Sequence, residues 1–185
     1  QAKKPADALV VSKTVQKQRP KEAVGFLLEG DIHAATKNWS GAVDAYSAGL
    51  KVAPSTELAI KLHTAQGLAG KAADADRTAA DWIKSHPDDA GFRLFLGDRA
   101  LGVNKLQDAQ RHYERVVELQ PKNGLALNNL AWVAGKLGRA DAVSIAERAV
   151  ATAPNQPAFL DTLAMLLSEK GEHAKALDIQ KKVVA

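Results

Sequence analysis

The chain has 185 residues, 46% of them hydrophobic, nine aromatics and no cysteine, with a net charge of +4. That composition suits one ordinary soluble domain or a stretch of repeats. It excludes a disulfide framework, a thiol nucleophile and a cysteine-ligated metal, and no apolar run nears the roughly 18 residues of a membrane span. Six of the 25 basic and two of the 21 acidic side chains lie in residues 1–22, so that segment carries the whole excess and the remainder balances 19 against 19. A nucleic-acid surface needs a basic stripe along the fold, and none is indicated. The chain opens on Gln1 without a signal-like segment, so a processed or excised piece is expected.

Pro20, Pro54, Pro87, Pro121 and Pro154 are spaced 34, 33, 34 and 33 apart. In chain order, residues 6–19 read as the second helix of a helix pair whose first helix is missing, within a leading segment 1–22. Complete helix pairs then occupy 23–55, 56–89, 90–123 and 124–156, and a shorter fifth runs 157–185. In each pair the first helix (A) places a small residue, Gly30, Gly97, Ala131 or Ala164, where the second helix (B) offers Ala42, Ala109, Ala142 or Ala176. Close crossing of two helices demands small side chains there. The second pair departs from this with His63 opposite Ala75, so overpacking and a local splay are expected. Trp39 and Leu106 start B helices. Tyr46 and Tyr113 recur at one position of the B helix, whereas the second pair has Ala79 there and Trp82 one turn on. That large-for-small exchange makes Trp82 a core residue. Each proline follows a B helix it cannot continue, and Gly70, Asn104, Gly138 and Gly171 fill the A-to-B turns.

Period, closing proline and paired small positions resemble the tetratricopeptide repeat. The resemblance implies an all-α, right-handed α-solenoid of helix–turn–helix repeats with about eleven helices, forming one continuous domain. It also implies a concave groove lined by helix A positions 2, 5, 9, 12 and 13. In the third repeat these are Gly91, Leu94, Asp98, Leu101 and Gly102; in the fourth, Leu125, Asn128, Trp132, Gly135 and Lys136; in the fifth, Ala158, Asp161, Met165, Ser168 and Glu169. Members that clamp a peptide carboxylate use Lys and Asn where this chain has Leu27, Ile60, Leu94 and Asp98, so that clamp is not expected.

The candidate site is Asp98, Asn128, Trp132, Asp161 and Met165: an indole among polar groups on successive A helices. Such a set suits a sugar face, or a peptide with a basic or amide side chain. Alternatively, Trp132 packs on the next repeat and Asn129 bonds within the stack. No enzyme chemistry is indicated. The five histidines lack metal-ligand spacing. Gly70-Lys71 misses two defining positions of a phosphate loop. Asp88, Asp89, Asp74 and Asp76 sit where acids cap helices. Hence no cofactor and no metal are expected.

Trp82-Ile-Lys-Ser-His-Pro-Asp-Asp-Ala90, Arg93-Leu-Phe-Leu-Gly97, Leu125-Ala-Leu-Asn-Asn-Leu-Ala-Trp132 and Pro157-Ala-Phe-Leu-Asp-Thr-Leu-Ala-Met165 follow in an order that resembles the tetratricopeptide protein of the bacterial PEP-CTERM/exosortase system. Ala164-Met165 replaces its usual Gly-Trp. This resemblance implies a scaffold in a Gram-negative envelope (periplasm or lipoprotein-anchored outer membrane) that serves exopolysaccharide assembly or protein sorting. Its partners would be a protein or peptide, with exopolysaccharide as a second ligand class. A cytoplasmic peptide-binding adaptor and the repeat region of a larger enzyme, such as a glycosyltransferase, remain alternatives. Apolar Leu177, Ile179, Val183 and Val184 near the C-terminus suggest weak self-association through uncovered repeat ends.

Overall fold

The computed structural model describes residues 3–183. All regular structure among them is helical: α1 (Lys3–Gln18), α2 (Val24–Ala35), α3 (Trp39–Val52), α4 (Thr56–Leu68), α5 (Ala72–Ser85), α6 (Ala90–Gly102), α7 (Leu106–Leu119), α8 (Gly124–Lys136), α9 (Ala142–Thr152), α10 (Pro157–Glu169) and α11 (His173–Val183). This matches the expected all-α fold helix for helix. The spacing of the prolines has a local cause. Each stands two residues beyond α1, α3, α5, α7 or α9, where the chain must leave the helix. Asn38, Ser55 and Asn123 then accept the free amides of Gly41, Leu58 and Ala126 as caps of α3, α4 and α8. The A-to-B turns run through left-handed backbone at Gly70, Asn104, Gly138 and Gly171, and at Lys37, which the sequence did not flag.

The chain falls into two compact units, 1–92 and 93–185. In the first, α1 packs on α2, α2 on α3, α3 on α4 and α4 on α5. Its core is Ala42, Val43, Tyr46, Leu58, Leu62 and Ala65. Asp89 ties its last turn: it accepts from the Phe92 amide at 2.9 Å, the Trp82 indole N–H at 2.7 Å and the Thr56 hydroxyl at 2.8 Å. Burial pushes this carboxyl up, but those three donors, with His86 nearby, outweigh it and hold Asp89 below its ordinary value. Asp89 therefore caps α6 as expected. Asp74 does not cap α5, whose cap residue Lys71 makes no side-chain bond; Asp74 pairs with Arg77 instead. Trp82 is buried, stacked on His86 with ring centroids 3.8 Å apart, in keeping with a core role.

In the second unit α7 packs on α8, α8 on α9, and α10 on α8, α9 and α11. Small residues line the crossings, with Ala109, Ala131, Ala134 and Ala149 wholly buried. Around them pack Tyr113, Leu127, Val133, Ile145, Phe159 and Leu163. Ile179 packs against this core, because its helical register turns it inward. It is therefore no exposed end residue, although Leu177 is 57% exposed. The side chains of Val183 and Val184 lie outside the described residues.

Candidate functional site

The site rests on a small cassette that occurs once in each unit. Helix A carries Gly-Asp, and helix B carries Tyr 16 residues after the glycine: Gly30, Asp31 and Tyr46, then Gly97, Asp98 and Tyr113. The glycines make room for the rings. A Cβ on Gly97 would lie 2.5 Å from Cε1 of Tyr113, and one on Gly30 would collide with Tyr46. Each tyrosine, buried to 3% exposure or less, then donates its hydroxyl to the neighbouring aspartate, Tyr46 to Asp31 at 2.6 Å and Tyr113 to Asp98 at 2.7 Å. Burial, and then the aspartate, raise both hydroxyls well above the ordinary tyrosine value, so they remain donors.

At His63 the second repeat departs from this cassette. The 16-residue register sets His63 against the position of Ala79, not against a tyrosine, so repeat two inverts the large and small partners. The imidazole lies buried, edge-on to Phe92 with ring centroids 6.5 Å apart. A large residue on helix A with Ala79 in the tyrosine register is the kind of exchange that conserves volume.

Of the five site residues expected from sequence, two are joined through a third. Asn129 donates from Nδ2 to Asp98 at 3.2 Å, and its Oδ1 accepts from Asn128 Nδ2 at 3.4 Å. Because a carboxylate only accepts, Asn129 must turn its amide nitrogen to Asp98 and its oxygen to Asn128. Asn128 is thereby left with its own Oδ1 buried and without a donor. Trp132 and Met165 are half-buried and share the core cluster of this unit. Lys136 stands 5.6 Å from the Trp132 ring centroid and pairs with Glu169 of the next A helix at 3.1 Å. Asp161 is drawn to Gln180 of α11 at 3.1 Å and joins neither group.

Residues 96–157 match the tetratricopeptide repeat family. No protein of curated function matches the sequence. Among solved structures, a crystal structure of the MamA protein is similar at 21% identity over 88% of this chain and 90% of that one, with a TM-score of 0.70. A MamA from MSR-1 is similar at 25% identity over 87% of this chain and 94% of that one, TM-score 0.64. Yeast Tom70 is similar at 14% identity over 95% of this chain and 38% of that one, TM-score 0.73. These likenesses establish the fold.

Three residues of this neighbourhood are not among the site residues expected from sequence. Asn129 bonds within the stack, as the alternative reading has it, and in doing so connects Asp98 to Asn128; its register, position 6 beside position 9 of the preceding A helix, is the available signal. Lys136 and Glu169 were groove positions whose pairing across adjacent A helices needs the tertiary structure. A separate cleft of about 460 Å³ opens away from all five site residues, over Val143, Leu163, Leu167 and Ile179, beside Ser144, Glu147 and Lys175. Among the described residues no group of three or more His, Asp or Glu is placed to hold a metal ion, and no helix is long and apolar enough to cross a membrane.

Proposed function

We propose that this protein is a non-catalytic scaffold that holds a segment of a partner protein against the A helices of residues 93–185. One observation carries the reading. Leu94, Leu101, Leu125, Trp132 and Met165 all fall on A-helix groove positions, and the packing leaves them half-buried or, for Leu125, 50% exposed. Core packing alone would cover such residues. A row of partly covered apolar side chains interrupted by Asp98, Asn128 and Lys136 has the mixed character of a protein-binding surface. The setting proposed is the bacterial envelope, in protein sorting or exopolysaccharide assembly. It is supported by the sequence resemblance over residues 70–185, with exopolysaccharide as the second ligand class.

The test is a photo-reactive amino acid placed at Leu125, on the row, and separately at Ser144, beside the other cleft, in the protein expressed in its native cell. A single protein cross-linked from Leu125 and absent from Ser144 is expected, and fractionation of the same cells reports the compartment. Cross-linking from Ser144 alone moves the working surface off the A helices. Binding of purified exopolysaccharide fragments, lost on changing Trp132, would favour the second ligand class.

A further inference from the structure

The two Gly-Asp/Tyr cassettes differ in one residue. In the first, Lys61, at position 6 of the next A helix, places Nζ 2.7 Å from Asp31 and 5.8 Å from the Tyr46 ring centroid. The aspartate thus has a cation of its own chain. In the second, the same register holds Asn129, which supplies a hydrogen bond to Asp98 but no charge. Among the described residues no Lys or Arg is paired with Asp98. The one lysine on the groove positions of this unit, Lys136, is engaged by Glu169. On α6 itself, Arg93 bears on His112, and Arg99, one residue past Asp98, projects about 100° around the helix. Those groove positions therefore carry Asp98, Asp161 and Glu169 against Lys136, and Asp98 is exposed while Tyr113 and Asn129 both donate to its Oδ1.

We propose that Asp98 is the position at which this protein recognises a basic side chain of its partner segment: an arginine or lysine takes the place beside Asp98 that Lys61 fills beside Asp31. The inference rests on the A-helix surface being the partner surface and specifies what that surface selects. The fixed donors from Tyr113 and Asn129 hold the carboxylate ready, so little side-chain freedom remains to be lost on binding. The exposed Asp98 carboxylate keeps acceptor capacity beyond those two donors, so it calls for a donor-rich cation and not for an anion.

The experiment titrates isotope-labelled protein, followed by NMR, with a nonapeptide of alanine and leucine bearing one central arginine, and with the same peptide bearing citrulline, its uncharged near-isostere. At low salt the arginine peptide is expected to shift Asp98, Asn129 and Trp132 and to bind about two- to fivefold more tightly, as a well-oriented exposed ion pair would give. Asp98→Asn, which keeps an acceptor for Tyr113, should abolish that preference. Asn129→Lys, which rebuilds the first cassette's internal ion pair, should abolish it as well, whereas Asp31→Asn should leave it intact. Equal affinity for the two peptides with Leu125 and Trp132 still shifting overturns the inference and spares the groove reading. An undiminished arginine preference in Asp98→Asn also overturns the inference. No shift on the A helices with either peptide overturns both.

Discussion

Exchanging the large and small partners of the second cassette tests the packing rule directly. Gly97→His alone drives a side chain into a ring already 2.5 Å from where a Cβ would stand. Tyr113 is wholly buried and tethered to Asp98, so it has no room to yield, and a loss near the upper end of ~1–3 kcal/mol is expected. Tyr113→Ala alone empties a buried aromatic site and should cost about 3–5 kcal/mol. The double variant recreates the arrangement of His63 and Ala79. The imidazole fills part of the vacated volume, so the pair should lose roughly 2–3 kcal/mol less than the two single losses added together. For a chain of this length each kcal/mol moves the melting temperature by about 2–4 °C. Guanidinium unfolding followed by circular dichroism supplies the energies, and hydrogen exchange across α6 and α7 confirms that the change is local. Additive losses would refute the idea that the tyrosine and the small helix-A residue are alternative fillings of one space.

Three further outcomes follow from the same structure. His63→Ala should destabilise the first unit by about 2–3 kcal/mol, because it empties a filled site; an unchanged or raised melting temperature would restore the overpacking view. Asp89 has a lowered folded-state value, so its contribution is fully present above the ordinary carboxylate range and lost as pH falls through the lowered value. Asp89→Asn should therefore flatten the acid limb of unfolding, and an identical acid limb in the variant would contradict the capping network. Tyr113→Phe should cost about 1 kcal/mol through the lost bond to Asp98, measurable by denaturant titration; no loss would show that the hydroxyl exchanges freely with water.

The helix count and the places where helices break were legible in the sequence because they depend on local chemistry. Proline cannot continue a helix, and left-handed turns draw Gly or Asn, so Pro54, Pro87, Gly70 and Gly138 announce their own positions. The pairing of residue with residue was less legible. Position in the repeat reads His63 against Ala75, whereas the 16-residue register of the cassettes reads it against Ala79. The Gly-Asp and Tyr recurrences were visible as patterns, but their joint meaning, a cavity and a hydrogen bond shared by one ring, emerges only when both helices are in place. At the site, Asp98 and Asn128 proved to belong to one amide chain through Asn129. Asp161 was separated from them because Gln180 on α11 competes for it, a contact that no helix-A alignment includes.

The central claim, that the A helices of the second unit form the working surface, is tested most directly at Trp132. The ring is half-buried on the core and flanked by Lys136, so Trp132→Ala should cost less stability than the ~3–5 kcal/mol of a fully packed indole. If its open part also carries a stacking contact of the kind worth ~1–3 kcal/mol in base recognition, affinity for the segment cross-linked from Leu125 should fall roughly 5- to 150-fold. Thermal unfolding and titration calorimetry on this one variant give both numbers. A modest loss of stability with a large loss of affinity is the expected result; a large loss of stability with affinity unchanged would make Trp132 a core residue and contradict the claim.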